Sequence, residues 1–160
     1  MTSTRRILIA DVTVPFESGV DVVFDYLADP TNRPRWQASL RAISKSAPRG
    51  EGAGDTGSSW TDVTWVPGVR PHMEVIENVP QRRWREIGTW WSADADLTLT
   101  FSSSSTTRTE VRARAFLTVP TILAPGASVL ALITPPALAA DLRTAARLLS
   151  GDGQASRPDR

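Results

Sequence analysis

The sequence contains no cysteine, one histidine (His72) and one lysine (Lys45). The first absence removes disulfides, thiolate metal sites and a cysteine nucleophile together. With a single imidazole, a His-rich metal centre or a serine–histidine–aspartate triad is not expected, and the chain reads as needing no metal and no cofactor. Charge of one sign is lacking too: 18 Lys+Arg oppose 17 Asp+Glu, a net of +1. The arginines alternate with acids, which gives no electrostatic case for nucleic acid or acidic lipid. No long hydrophobic run is present. Ala127 to Ala140 is broken by Thr134, Pro135 and Pro136 and falls short of the roughly 20 residues a membrane span needs. Met1 to Arg6 has two arginines but no apolar core of a signal peptide. A soluble, cytoplasmic chain is expected, with one domain over 1–150 and a polar, Gly- and Pro-containing tail over 151–160 that reads as disordered.

Tryptophan is what the chain has in excess: six in 160 residues, with Trp60, Trp65, Trp84, Trp90 and Trp91 inside one predicted β-meander. Indoles stack on flat or unsaturated molecules, so inward-facing ones would outline an apolar pocket. The alternation of Arg5 to Val14 predicts a first strand that Pro15 ends. Val20, Val23, Phe24 and Leu27 stand at helical spacing, with Ser18 a candidate cap. Asp29-Pro30 stops that helix, and Thr31 to Gln37 predicts a second short helix or turn. Strands are then predicted over Ser39–Ser46, Ser58–Val66, Val69–Val79, Arg82–Trp91, Asp94–Phe101 and Thr109–Val119. The glycine-rich stretch Pro48 to Gly57 reads as a flexible loop. A final helix is expected from about Gly126 to Leu149, kinked at Pro135-Pro136.

Cross-strand partners in an antiparallel pair share a face. Two-residue turns at Pro67-Gly68, Pro80-Gln81 and Ser92-Ala93 put Trp60, Met73, Val75, Trp84, Trp90, Ala95, Leu97, Leu99 and Phe101 on one side. Arg70, His72, Glu74, Arg83, Arg85, Asp94, Asp96 and Thr98 fall on the other, with Trp65 and Trp91 as large exceptions. Asp62 and Glu86 are the anomaly, because they fall on the apolar side; the registers put Glu77 there too, but next to a turn it reads as solvated. A carboxyl there costs several kcal/mol unless paired, hydrated or protonated, and a raised proton affinity would suit a general acid/base. Gly88 is read as leaving space over the sheet. Arg33-Pro34-Arg35 and Arg82-Arg83 read as solvated loop charges, and Trp36 as a plug for one end of the pocket.

The order and spacing of Val12-Thr13-Val14-Pro15, Val23-Phe24-Asp25-Tyr26-Leu27-Ala28-Asp29-Pro30, Pro34-Arg35-Trp36, Gly52 to Gly57, Val79-Pro80-Gln81-Arg82-Arg83-Trp84 and Ala140-Asp141-Leu142 resemble the START-like polyketide cyclase/dehydrase superfamily. The resemblance spans residues 5 to 149. It implies an α+β helix-grip fold: a curved antiparallel sheet of about seven strands around a long C-terminal helix, with two short helices after the first strand. It also implies an apolar cavity between sheet and helix. Aromatase/cyclases of this superfamily tend to place an arginine in that cavity; the meander arginines here read as outward.

Two functions fit these expectations. One is a cofactor-independent polyketide cyclase or dehydratase, of lyase or isomerase type, in secondary metabolism such as antibiotic biosynthesis. Glu86 and Asp62 would move a proton, and Trp60, Met73, Val75, Trp84, Trp90, Leu97, Leu99, Phe101 and Trp36 would line the site. The other is a non-catalytic carrier or sensor of a hydrophobic small molecule. Trp65 and Trp91 on the outside suit surface packing or a homodimer contact.

Overall fold

In the computed structural model, which describes residues 3–155, seven strands form one antiparallel sheet in the order β1-β7-β6-β5-β4-β3-β2. The strands are β1 (Thr4–Phe16), β2 (Leu40–Ala47), β3 (Ser59–Thr64), β4 (His72–Val79), β5 (Arg83–Trp90), β6 (Ala93–Ser105) and β7 (Arg108–Pro120). Helix α1 (Val20–Leu27) follows β1, and a 3-10 turn (Pro30–Asn32) leads into α2 (Arg33–Trp36). Helix α3 (Ala124–Ala155) closes the chain and runs unbroken past Pro135 and Pro136. Its last residues take up the start of the stretch expected to be a disordered tail; 156–160 lie outside the described residues. The cap of α1 is Gly19, without a side-chain bond, rather than Ser18.

Sidedness in the meander follows the alternation, although each predicted turn is displaced. Trp60 pairs with Met73, and Trp84 with Leu99, each two residues from the expected partner. A two-residue slip preserves the face because side chains alternate with a period of two. The β5–β6 turn sits on Trp91-Ser92, with Trp91 at φ 55°. The β4–β5 connection takes three residues, and β4 compensates with a bulge at Ile76 that restores the Val75–Glu86 pairing. That bulge corrects one assignment. Beyond it the faces exchange, so Glu77 points outward to Arg83 at 2.7 Å, while Asn78 turns toward Trp84's side.

The sheet and helices bury an apolar face containing Val14, Phe16, Phe24, Leu27, Trp36, Val75, Val111 and Leu142. Two ends of this interior differ. At one end lie the 48–58 loop, the β4–β5 and β6–β7 turns and the exit of β1 into α1, where Phe24 meets Phe101 edge-on at 5.0 Å. At the other lie the β3–β4 and β5–β6 turns and the passage from β7 into α3, since Thr4 pairs with Pro120 and Trp90 with Ala93. Burial falls from the first end toward the second along the inward rows of β5 and β6. Phe101 and Leu99 are buried, Leu97 is half-buried and Ala95 is exposed; Trp84 and Glu86 are buried, and Trp90 is half-buried. By length and hydropathy the segment Thr121–Gly151 reaches the size of a membrane span, with a mean hydropathy of 1.7 over 18 residues. This exceeds the expectation drawn from Ala127 to Ala140. In this fold the same helix packs along β1 and contributes Leu142 and Ala145 to the core.

Candidate functional site

The first residue of α2 supplies the cation that the inward carboxylates require. Asp29 accepts from the Thr31 backbone N–H at 2.9 Å and from its hydroxyl at 2.7 Å, and the Asn32 side chain donates to the Tyr26 carbonyl at 3.1 Å. These bonds hold the 3-10 turn and aim Arg33 into the interior. Its Nη1 donates to both oxygens of Glu86, at 2.6 and 2.5 Å. Its Nη2 reaches Asp62 Oδ2 at 3.4 Å. Arg33, Asp62 and Glu86 are 3%, 4% and 2% exposed. Arg33 is therefore not a solvated loop charge; two carboxylates on the core face need a cation, and one helical turn before the buried Trp36 it falls on the same side of the chain. The inward parity of Asp62 and Glu86 is the signal that could have found it.

Indoles complete the cluster. Trp60 Nε1 donates to Asp62 Oδ1 at 2.8 Å, and the Arg33 guanidinium stands 5.4 Å from the Trp60 ring centroid. Trp60 stacks on Trp84 at 6.4 Å and 14°. Trp84 Nε1 donates to the Gly54 carbonyl at 3.1 Å. The glycine-rich stretch is accordingly pinned rather than flexible: Asp55 Oδ2 accepts from the backbone N–H groups of Glu51 and Gly52, each at 2.9 Å.

One guanidinium faces two carboxylates in a site almost closed to solvent. Burial pushes the Glu86 carboxyl above its ordinary value; Arg33 draws it back only in part, and Asp62 adds to the rise. Burial alone would lower Arg33, but the negative charge of Glu86 and Asp62 outweighs it and raises the group. The Nε of Arg33 and the Nε1 of Trp36 are buried with no partner.

The other sequence-predicted positions divide by end. Trp60, Trp84, Val75 and Leu99 are at most 1% exposed, so they fill space with one another and leave no water-sized gap. Trp36, Met73 and Phe101 are also buried. Gly88 opens no space, because the Met73 sulfur lies 2.7 Å from where a Cβ would stand. Trp90 and Leu97 are half-buried at the open end. Trp91 is not on the outer sheet face but at the β5–β6 turn, stacked on Trp90 at 5.2 Å; Trp65 lies in the loop after β3.

Two clefts adjoin these elements. One, of about 330 Å³, lies between the start of β2 and the middle of α3, lined by Gln37, Ser39, Ile133, Thr134, Ala137, Leu138 and Asp141. Gln37 Oε1 is buried without a partner. Asp141 Oδ1 accepts from the Ala38 backbone N–H at 3.0 Å, and burial raises its carboxyl against that bond. The second, of about 530 Å³, lies at the closed end between α1 and the glycine-rich loop. Among the described residues no group of three His, Asp or Glu side chains has metal-binding geometry.

Replacing Trp60 by Phe keeps most of the stacked area but removes the donor to Asp62 Oδ1. An unsatisfied buried carboxylate oxygen costs about 1–3 kcal/mol, to be read as a lower urea midpoint at unchanged slope.

No family model and no curated protein matches the sequence. Solved structures do resemble the fold. A START superfamily protein from Mycobacterium smegmatis superposes with a TM-score of 0.72 at 13% identity, over 89% of this chain and 99% of that one. Norcoclaurine synthase from Thalictrum flavum, solved with dopamine and hydroxybenzaldehyde, gives 0.68 at 13% identity over 99% and 91%. The di-domain ARO/CYC BexL from the BE-7585A biosynthetic pathway gives 0.54 at 15% identity, over 69% of this chain and 35% of that one. With its seven-stranded antiparallel sheet, two short helices after β1 and long C-terminal helix, this chain has the START-like helix-grip fold.

Proposed function

We propose that the protein binds a hydrophobic small molecule between the open end of the sheet and α3, as a carrier or sensor. The observation that carries this reading is the fall in burial along the inward rows of β5 and β6: Ala95, Leu97 and Trp90, with Leu117 of β7, keep accessible surface on a face whose other half is solid. Apolar surface left open on an inward face is where a guest gains most by displacing water. Gln37 Oε1 and Asp141, at the cleft between β2 and α3, are polar groups able to orient a ligand. The chemistry named for two structural neighbours, an aromatic amine and aldehyde in one and a cyclase pathway in the other, supports a conjugated or polyketide-like ligand. The domain over 1–150 would act in the cytoplasm with no cofactor.

A second reading, a cofactor-independent cyclase or dehydratase of secondary metabolism, is favoured by the raised proton affinity of Glu86 beside the unpartnered Arg33 Nε. It requires the cluster to open, because Glu86 is held by both its oxygens and is out of reach of a guest.

Titration with cis-parinaric acid, a conjugated polyene fatty acid, tests the site through energy transfer from tryptophan. Ala95→Trp should weaken binding at least about tenfold by filling the open end, one tenfold step being 1.4 kcal/mol. Glu86→Gln should leave binding within about twofold of wild type, a difference below 0.5 kcal/mol. Undiminished binding by Ala95→Trp would refute the location. Turnover of a polyketide chain by wild type, abolished in Glu86→Gln, would establish the enzyme reading instead.

A further inference from the structure

From Ala115 to Ala140 the chain carries no charged residue, yet the first half of α3 lies at the surface. In the 18-residue apolar window only 17% is buried. A soluble surface helix ordinarily turns charged side chains to water. Here Ala124 and Ala127 face the protein, while Val129, Leu130, Leu132 and Ile133 face out, Leu132 at 77% exposure. Ile122 and Leu123, just before the helix, are exposed as well.

The same end of the sheet carries the β3–β4 and β5–β6 turns, and each presents a tryptophan. Trp65 is 65% exposed and Trp91 is 91% exposed. Val66 is exposed beside Trp65. Isolated surface apolar residues are ordinary, but a collar of nine on neighbouring turns and one helix marks a docking surface.

Charge selects the occupant. Arg5, Arg41 and Arg70 stand at this end, and Arg41 lies 5.6 Å from the Trp65 ring centroid. Among the described residues none of the three makes a salt bridge, and Asp94 is the acid at the β5–β6 turn. Three arginines and one aspartate leave an excess of two positive charges, which the near-zero net charge of the whole chain hides. A two-fold contact with a second copy would bring like arginines together. An anionic lipid surface would satisfy both features: indoles and aliphatic side chains enter the headgroup boundary while arginines meet phosphate. We infer that this end of the molecule, formed by the β3–β4 turn, the β5–β6 turn and the first half of α3, docks on an anionic bilayer surface without spanning it. The surface adjoins the open end of the sheet but is defined by exposed residues alone, so it stands whether or not a ligand binds within.

Flotation of the full chain with vesicles tests this. Phosphatidylcholine mixed with phosphatidylglycerol should carry the wild-type protein and shift its tryptophan emission to the blue, while phosphatidylcholine alone should bind it several-fold more weakly. Combined Trp65→Ser, Trp91→Ser and Leu132→Ser should reduce partitioning at least tenfold. Arg41→Gln with Arg70→Gln should abolish the preference for phosphatidylglycerol while leaving the fold intact by circular dichroism. Failure to float with either vesicle would overturn the inference. So would a lipid-free dimer that the three serine substitutions dissociate, since the collar would then be a contact between copies.

Discussion

Arg33→Met is expected to destabilise the protein by about 3–5 kcal/mol, because it leaves two buried carboxyl groups without their cation. For a chain of this size that lowers the melting temperature by roughly 6–20 °C. The loss should depend on pH in a stated direction. Without the guanidinium, Glu86 can stay buried only by taking up a proton. The gap between wild type and variant should therefore be widest near neutrality and narrow in acid. Wild type has its own, gentler slope. Since burial raises Glu86 above its ordinary 4.5, its favourable contribution is complete below that value and is lost as pH rises through the raised one. Glu86→Gln, neutral throughout, should escape that loss and gain on wild type as the solution becomes more alkaline. Denaturant midpoints at several pH values measure both effects. A gap for Arg33→Met that stays constant from pH 4 to pH 8 would show that the cluster is not held by charge.

Replacing all three partners at once separates structure from chemistry. Well-packed apolar substitutes for a buried ion cluster are often neutral or stabilising. Arg33→Met, Asp62→Leu and Glu86→Leu together should thus recover most of the stability lost by Arg33→Met alone. If parinaric acid still binds to this variant, the cluster organises the core; if binding vanishes from a folded protein, the cluster belongs to the site.

Gly54→Ala is the second large effect, at about 4 kcal/mol. A Cβ at this position would stand 1.9 Å from the Ala28 carbonyl oxygen. That oxygen is backbone at the end of α1 and cannot swing aside as a side chain could. Moving the loop instead would break two bonds to the Gly54 carbonyl, from Trp84 Nε1 at 3.1 Å and from Asn78 Nδ2 at 2.9 Å. Gly126→Ala provides the contrast. It meets nothing within 4 Å and should gain up to about 1 kcal/mol from helix propensity. Urea unfolding at unchanged slope distinguishes the two; a Gly54→Ala protein as stable as wild type would mean that α1 and the loop separate freely.

The two-faced pattern of the meander was legible without coordinates because alternation survives error. The β3–β4 and β5–β6 registers were each off by two residues, and Trp60, Trp84 and Glu86 still point inward. The register count alone turned Glu77 inward, against its reading as a solvated turn residue, for the complementary reason: the bulge at Ile76 adds one residue, and a single residue reverses the face. The resemblance in motif order likewise anticipated the helix-grip arrangement that the sheet and α3 adopt.

Local spacing determined on its own the strands, the short helices and the burial of two acids among tryptophans. Which cation answers those acids was decided by the tertiary structure, since Arg33 and Glu86 are 53 positions apart and meet only when α2 closes over the sheet. Packing also decided where free volume remains. Hydrophobic pattern states which side chains face inward, but not whether those faces touch; at Trp60 and Trp84 they do, while Trp90 and Leu97 keep accessible surface.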